Sequence, residues 1–377
     1  MNFTQLNTEN SKEWDRFCLQ SDDAWFWHST VALDYSLQLR PQLDSVSLSF
    51  VVSEGSQILS VCPLILETYR QGGLEVREFS SGGVFGVCPV FDTELSEIRR
   101  HKIAKVVFGN IDSLAAQNEV QRISIMCSPL APSFMGSVMP PPNWLLRHGF
   151  QDVSLTTQII DLSQNLQSLW GDMRKGHRQD IERGRQSLNV TSFDQDNVTL
   201  ELFNEYRFMH QKAAGRITRP LITFEMMYEW IVEGYAVLFG ASLDDRFVGW
   251  ALINTYKEGA YFSSACNDPE FSSLPISHVL QWDIIEWLKD AGYRFYELGY
   301  QQYSSLPYDF PTEKEINIAF HKRGFGGRAV PLFRGEKYYS REHYLQTAQS
   351  RIEKFAATVP DITCHISEGS GKDPLLD

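Results

Sequence analysis

The sequence predicts an α/β protein made of two copies of one folding unit. Its 377 residues exceed what one ordinary core holds and suggest two domains of roughly 150–200 residues each. Each half shows the same order of elements, a strand hairpin followed by a helix and a further strand. Corresponding elements lie roughly 170–190 residues apart. An apolar content of 43% and an aromatic content of 13% are typical of a well-packed chain.

The first half begins this order with a hairpin. The segment SVSLSFVV-SEGS-QILSVCPLIL predicts two strands joined by a tight turn that contains Gly55. A helix is expected around residues 95–119, and the strand RISIMC follows it. The run Pro140–Pro142 stops any regular element and marks the boundary between the halves. The predicted divisions of the chain are residues 1–152, residues 153–345, and a C-terminal helix with a polar tail at 346–377.

The second half repeats the order. YAVLFGASLDDRFVGWALINTY predicts a strand, an acidic turn and a strand, and AYFSSACN predicts another strand. In SHVLQWDIIEWLKDAGYRFYELGY, Gly292 ends a helix and YRFYELG returns as a strand. Apolar residues recur at helical spacing in that helix, at Val279, Leu280, Ile284, Trp287 and Leu288.

Charge and composition argue against several classes of protein. A formal net charge of −13 argues against broad electrostatic adhesion to nucleic acid or anionic lipid. The six cysteines form no C-x-x-C pair and the nine histidines lack H-E-x-x-H spacing, so we expect neither a disulfide frame nor a metal site. The N-terminus lacks a signal-peptide pattern, and no apolar run approaches ~20 residues. We therefore expect a cytoplasmic protein without a membrane span.

One short segment runs against the acidic charge. Between Arg174 and Arg185 there are five Lys or Arg and only two acids. Read as one helix, the segment holds Arg174, Arg178 and Arg185 along one flank, where guanidinium groups suit phosphate or carboxylate. The alternative is a solvated face paired with nearby acids, and His177 is expected to be a hydrogen-bonded helix histidine. The apolar side of this helix is formed by Leu166, Leu169, Trp170, Met173, Ile181 and Leu188.

Three stretches together resemble the FemAB-like branch of the GNAT-fold acyltransferases. This branch includes peptidoglycan aminoacyltransferases and acetyltransferase-like proteins of polysaccharide gene clusters. The stretches are MRKGHRQDIERGRQSLNVTSF, the segment with Trp282, Ile285, Gly292 and Glu297-Leu298-Gly299, and IAFHKRGFGGRAVPLFRGEKYY. The resemblance covers roughly residues 160–340. It implies two tandem GNAT-like domains with mixed sheets flanked by helices: a degenerate first domain, 1–152, and a second, 153–345, that carries the active site.

The chain departs from the family pattern at two points. Counting from Phe320 puts His321 at the lysine of the closing motif, whereas counting back from Phe325-Gly326 gives a register with an extra residue. The loop before the helix that starts at Pro275 also lacks a Gly-x-Gly run, which in this fold holds a pyrophosphate. Ser277 at that helix start is a remaining candidate for binding an anion.

The resemblance implies acyl transfer to an amine. In this fold the acyl donor lies where two neighbouring strands part, and the matching strands here are AYFSSACN and RFYELGY. The expected catalytic residues are Lys322 or His321 for the oxyanion, Glu297 or His278 for the amine proton, and Tyr261 for orienting substrate. The expected donor-binding residues are Arg174, Arg178, Arg185, Arg216, Ser277 and Tyr300.

Three donors stay open: acyl-CoA, an acyl carrier protein and aminoacyl-tRNA. The acidic charge disfavours tRNA, the missing Gly-rich loop disfavours CoA, and the basic strip suits the acidic helix of a carrier protein. The expected acceptor is an amine of a cell-envelope or polysaccharide precursor. No permanently bound cofactor or metal is expected, and the oligomeric state is not predicted. The alternative to an enzyme is a non-catalytic tandem-GNAT binding module that scaffolds a biosynthetic complex.

Overall fold

The computed structural model describes residues 1–135 and 142–359, so Pro140 and Pro141 of the predicted boundary lie outside the described residues, as does the tail from 360. The strands are β1 (Asn2–Gln5), β2 (Val46–Ser47), β3 (Phe50–Glu54), β4 (Gln57–Cys62), β5 (Ile65–Gln71), β6 (Leu74–Phe79), β7 (Gly86–Val87), β8 (Val90–Phe91), β9 (Arg122–Met126), β10 (Gln151–Asp152), β11 (Leu155–Asp161), β12 (Asn189–Phe193), β13 (Ala236–Leu243), β14 (Arg246–Tyr256), β15 (Gly259–Asn267), β16 (Phe295–Gln301), β17 (Arg328–Leu332) and β18 (Arg334–Tyr338). The helices are α1 (Ser11–Gln20), α2 (Thr30–Gln38), α3 (Glu97–Gln117), α4 (Pro132–Met135), α5 (Leu166–Asp172), α6 (Lys175–Gly184), α7 (Leu200–Ala214), α8 (Leu221–Val232), α9 (Ile276–Asp290), α10 (Glu313–Arg323) and α11 (Arg341–Ala356).

The elements predicted in the first half are confirmed. β3 and β4 form an antiparallel hairpin, and Gly55 in its turn has a φ of +60°, which glycine adopts without steric cost. The hydroxyl of Ser96 accepts a hydrogen bond from the N–H of Arg99 and so caps α3. Two sheets result, one ordered β1-β3-β4-β8 and the other β10-β18-β9-β6-β5-β2, with β7 also paired to β9.

The elements predicted in the second half are confirmed as well. A mixed sheet is ordered β12-β13-β14-β15-β16-β11-β17. The acidic turn between β13 and β14 places Asp244 and Asp245 at φ values of 47° and 62°, the left-handed pair that suits a two-residue hairpin. α9 packs on this sheet, and Gly292 follows it at a φ of +87°. The core of this half is therefore one sheet covered by amphipathic helices.

The two halves share one arrangement, with one difference. In the second half β15, α9 and β16 form a parallel unit, and β6, α3 and β9 form its counterpart in the first half. β6 pairs with β9 only at Glu78 and Phe79, and β7 then pairs with β9 through Gly86 and Val87. The space beside β9 is thus taken by β7, which fits the expected degeneracy of the first domain.

One strand crosses the predicted division between residues 152 and 153. β18, which lies before residue 345, pairs with β9 and β10 in the sheet of the first half. A strand from the predicted segment 153–345 therefore completes a sheet of the first half. A shared core also joins the halves, in which Phe26 packs edge-on against Trp230 at a ring distance of 5.0 Å. Within the described residues, every helix is too short or too polar to cross a bilayer.

Candidate active site

β15 and β16 part in the middle of the sheet of the second half, as the sequence predicts. They pair in parallel from Gly259 and Phe295 to Tyr261 and Glu297, and the pairing stops there. Beyond that point β15 stays paired with β14 as far as Asn267, and β16 stays paired with β11. The result is an open gap between two strands that each remain hydrogen-bonded to their other neighbour.

A β-bulge on each strand accounts for the parting. The register between β14 and β15 shifts at Leu252/Ile253, which leaves Ser263 of β15 unpaired. The register between β11 and β16 shifts at Gln158/Ile159, which leaves Leu298 of β16 unpaired. Bulges bend strands and increase their twist, so two bulges just past the last shared pair turn the strands away from each other.

Lys322, near the end of α10, lies at this gap. Its Nζ is 5.5 Å from the centre of the Phe262 ring on β15. A Cβ added to Gly299 of β16 would stand 2.8 Å from the same Nζ. The ammonium group therefore occupies space between the two strands that any side chain at position 299 would invade. Lys322 thus lies at the gap, whereas the His321 ring contacts His177 and His278.

Glu297 is the buried acid of the site. Its side chain accepts a 2.6 Å hydrogen bond from the hydroxyl of Thr157 on β11. Burial raises the pKa of Glu297 to about 7, against the opposing effects of the Thr157 hydrogen bond and the positive charge of Lys322. Burial also lowers the pKa of Lys322 to about 8, and the charge of Glu297 opposes this shift. A carboxyl group poised near neutrality can accept a proton, and a neighbouring ammonium group can donate hydrogen bonds.

Two predicted tyrosines lie on the same strands. The ring of Tyr261 packs edge-on against Trp25 and Trp27 of the first half, at ring distances of 6.2 and 6.1 Å. Burial raises the pKa of the Tyr261 hydroxyl, and the charge of Glu297 adds to the shift, so the phenol stays protonated. Tyr300 on β16 is 40% exposed. The first half thus forms one wall behind the site through its tryptophans.

The two predicted histidines contact a third. His278 of α9 and His321 of α10 lie with their ring centres 4.7 Å apart, and His177 of α6 lies 4.6 and 5.1 Å from them. Burial lowers the pKa of His278 to about 4 and that of His321 to about 3. The Nε2 of His177 lies 2.9 Å from the carbonyl oxygen of His321, so His177 is hydrogen-bonded as expected. These rings are therefore neutral at pH 7.

The basic segment is two helices, which corrects the prediction of one. α5 ends at Asp172, and Met173 and Arg174 are extended, with ψ values of 148° and 137°. The N–H of Arg174 donates to the carbonyl oxygen of Gly324 at 2.8 Å instead of continuing a helix. The predicted apolar residues nevertheless face inward, and the fully buried ones are Leu169, Met173, Ile181 and Leu188.

The predicted donor-binding arginines do not converge on one point. Arg174 lies over the Phe320 ring at 3.9 Å, and Arg178 donates to the carbonyl oxygens of Trp170 and Gly171 at the end of α5. Arg185 is paired with Asp283 and Glu286. Arg216 is exposed beyond α7, and the Ser277 hydroxyl accepts a 2.7 Å hydrogen bond from Asn267. A donor-binding role for each stays a prediction.

Sequence reasoning missed two contributors to this site. Thr157 is 140 residues from Glu297 in the chain, and nothing in its neighbourhood marks it as a partner. The sequence predicts only a hydrogen-bonding role for His177, because its contact with His278 and His321 depends on the packing of three helices. Gly299 also belongs to the site, and the sequence marks it only through its place in the Glu297-Leu298-Gly299 motif.

Comparisons with known proteins concern the fold of the chain. Residues 171–308 match a family model described as an acetyltransferase (GNAT) domain. FemX is similar in structure, with a TM-score of 0.63 at 13% identity over 92% of this chain and 99% of FemX. L-PGS from Bacillus licheniformis has a TM-score of 0.53 at 14% identity over 86% of this chain and 97% of its own. A tandem GNAT protein from the clavulanic acid biosynthesis pathway has a TM-score of 0.51 at 13% identity, over 90% and 98%. No curated protein sequence matches this chain.

The fold is that of two tandem GNAT-like domains. The second of these carries the segment that matches the GNAT family model. The resemblance to the FemAB-like tandem GNAT group is thereby confirmed at the level of the fold.

Proposed function

We propose that the C-terminal half is an N-acyltransferase that moves an acetyl, acyl or aminoacyl group from a thioester or an aminoacyl-tRNA to an amine. The single observation that carries the proposal is the position of Lys322. Its Nζ lies beside Phe262 and Gly299, just past the point where β15 and β16 part. An acyl carbonyl held in that gap meets a cationic hydrogen-bond donor on one side and the buried acid Glu297 close by.

The chemistry follows from these two groups. The amine nitrogen attacks the acyl carbon, and Glu297 accepts the proton that the nitrogen loses. Negative charge develops on the carbonyl oxygen, which accepts a hydrogen bond from the ammonium group of Lys322. The intermediate then expels the leaving group of the donor, which takes up the proton held by Glu297. The hydroxyl of Thr157 holds the Glu297 carboxyl group in position throughout.

Donor and acceptor are the finer part of the proposal. The clavulanic-pathway protein is named with reference to AcCoA, which makes acetyl-CoA the first donor to try. Arg174 is the candidate contact for an anionic carrier, because its exposed side chain lies over the Phe320 ring and donates a 3.5 Å hydrogen bond to the Phe320 carbonyl oxygen. The acceptor is an amine of a cell-envelope or polysaccharide precursor, by resemblance to the FemAB-like group. Cytoplasmic location is part of the same proposal.

The test begins with binding. The purified chain is melted with acetyl-CoA, an acyl carrier protein bearing a thioester, and aminoacyl-tRNA in turn. A donor at 100 times its dissociation constant stabilises the folded state by about 2.7 kcal/mol. The donor that shifts the melting temperature is then incubated with candidate amines, and mass spectrometry detects the transferred group.

The outcomes separate the two classes of function. Transfer that depends on Lys322 supports the enzyme. Binding of a donor without transfer to any amine of the panel, or no binding of any donor, favours the non-catalytic binding module that scaffolds a biosynthetic complex. Lys314→Met, an exposed change in the first turn of the same helix, serves as the matched control for Lys322→Met.

A further inference from the structure

Three histidines from three helices converge on one point. His177 of α6, His278 of α9 and His321 of α10 each bring one ring nitrogen within 4.8 Å of the other two. Across residues 1–135 and 142–359, this is the one group of three or more His, Cys, Asp or Glu whose ligand atoms cluster in this way. The chain spacing of these residues has no metal-binding pattern, so the cluster is a product of the tertiary structure.

Glycines let the three helices approach closely enough to form the cluster. A Cβ added to Gly324, just after α10, would stand 2.1 Å from the Nε2 of His177. A Cβ added to Gly184 of α6 would stand 2.5 Å from Val279 of α9. Side chains at these two positions would push the histidine rings apart, so the close approach depends on both glycines.

One nitrogen in each of two rings lies near an oxygen atom of the kind that orients metal-bound histidines. The Nε2 of His177 lies 2.9 Å from the carbonyl oxygen of His321. The Nε2 of His278 lies 3.8 Å from a carboxylate oxygen of Asp180. A histidine bound to a metal usually donates its other N–H to a carbonyl or carboxylate oxygen, which sets the tautomer and leaves the second nitrogen for the ion.

We propose that His177, His278 and His321 bind one divalent transition-metal ion, with Zn²⁺ as the ion of best fit. Imidazole nitrogen is a preferred ligand of Zn²⁺, and three histidines with a fourth open position form an established coordination. Zn–N bonds of about 2.0–2.1 Å set tetrahedral ligands roughly 3.4 Å apart. Side-chain movements on the order of 1 Å therefore close the three rings on the ion.

The type of ligand, and not the nearby charge, selects the class of ion. Arg174 and Lys322 act electrostatically on His321, and Asp180 is the acid beside His278. Ca²⁺ and Mg²⁺ need several oxygen ligands, which a cluster of three imidazoles does not supply. The bound ion joins α6 and α9 to the end of α10, the helix that also carries Lys322. It therefore holds the wall of the gap in place without touching the acyl group.

The experiment uses the full chain, stripped of metal with a chelator and titrated with Zn²⁺ alone by calorimetry. Co²⁺ is added in a parallel sample, since visible absorption distinguishes its tetrahedral from its octahedral complexes. We expect one ion per chain. His278→Gln and His321→Gln should each weaken Zn²⁺ binding about 100-fold or more, and Asp180→Asn about 10- to 100-fold. His101→Gln, on the exposed face of α3, is the control that keeps full affinity.

Circular dichroism of each metal-free variant checks that it is folded. A wild-type chain that binds neither ion overturns the proposal, and so does equal Zn²⁺ affinity in the wild type and both histidine variants. Should a histidine variant unfold, Asp180→Asn carries the same test, because the Asp180 side chain is only half-buried. Unchanged Zn²⁺ affinity in that variant then overturns the site.

Discussion

Tyr261 of β15 and Glu297 of β16 are the last backbone partners of two parallel strands that separate beyond them. The vertex of the gap therefore carries a buried carboxyl group, and the ammonium group of Lys322 lies beside the next residues, Phe262 and Gly299. The point where the sheet opens therefore holds both a proton acceptor and a cationic hydrogen-bond donor. The counterpart gap in the first half is taken by β7.

Lys322→Met should lower turnover by about 100- to 1,000-fold, the usual cost of removing one donor from an oxyanion site. The variant should fold normally, because methionine fills similar space without a charge to bury and Lys322 as a residue is only partly buried. Steady-state kinetics with the donor found by thermal shift provides the measurement. Lys314→Met should keep wild-type turnover, and equal turnover in both variants would remove Lys322 from the mechanism.

Glu297→Gln should abolish the acidic limb of the pH profile. Burial raises the pKa of Glu297 to about 7, so the carboxyl group is protonated below that pH and cannot accept the amine proton. In the wild type kcat/KM should rise with pH through about 7, as Glu297 loses its proton, and fall again above about 8, as the Lys322 ammonium group loses its own. In Glu297→Gln it should be low and lack this rise. An identical limb in the variant would assign the titration to another group, and Glu313→Gln on the exposed start of α10 is the control.

Gly299→Ala should lose turnover beyond its effect on stability. Gly299 has a φ of +101°, and an added Cβ would stand 2.8 Å from the Nζ of Lys322. Gly292 has a φ of +87° with no atom within 4 Å of the added Cβ, which makes Gly292→Ala the matched control. Both variants should lose on the order of 1–2 kcal/mol of stability from backbone strain. Turnover per folded molecule should fall in Gly299→Ala alone, and parallel losses would refute the contact.

Arg174→Ala and Arg185→Ala should have different effects. Arg185 pairs with Asp283 and Glu286 of α9, so its loss should cost up to about 1 kcal/mol of stability and leave donor affinity unchanged. Arg174 is exposed above the Phe320 ring, and its loss should weaken binding of an anionic donor, more strongly at low salt. Thermal melts and donor titrations at two salt concentrations separate these effects. Weaker donor binding in Arg185→Ala would contradict this and would show that Arg185 contributes to donor binding.

The local elements were predictable because each depends on neighbouring residues. The acidic turn at Asp244 and Asp245 and the apolar period of α9 lie within single short windows of sequence. Lys322, Glu297 and the two strands that part were likewise reached from motifs within the chain. Helix periodicity alone did not reveal the break at Arg174, because the carbonyl oxygen that takes its N–H belongs to Gly324, 150 positions away.

The site as a whole required contacts between distant segments. A side chain's sequence neighbours set its helix or strand, but its burial and charge partners come from whatever element packs against it. Thr157 reaches Glu297 because β11 enters the sheet beside β16, and His177 meets His278 and His321 because glycines let three helices close together. Hydrophobic periodicity in the sequence thus determines the helices and strands of the α/β units. Long-range packing determines which polar groups lie together in one buried, low-dielectric site.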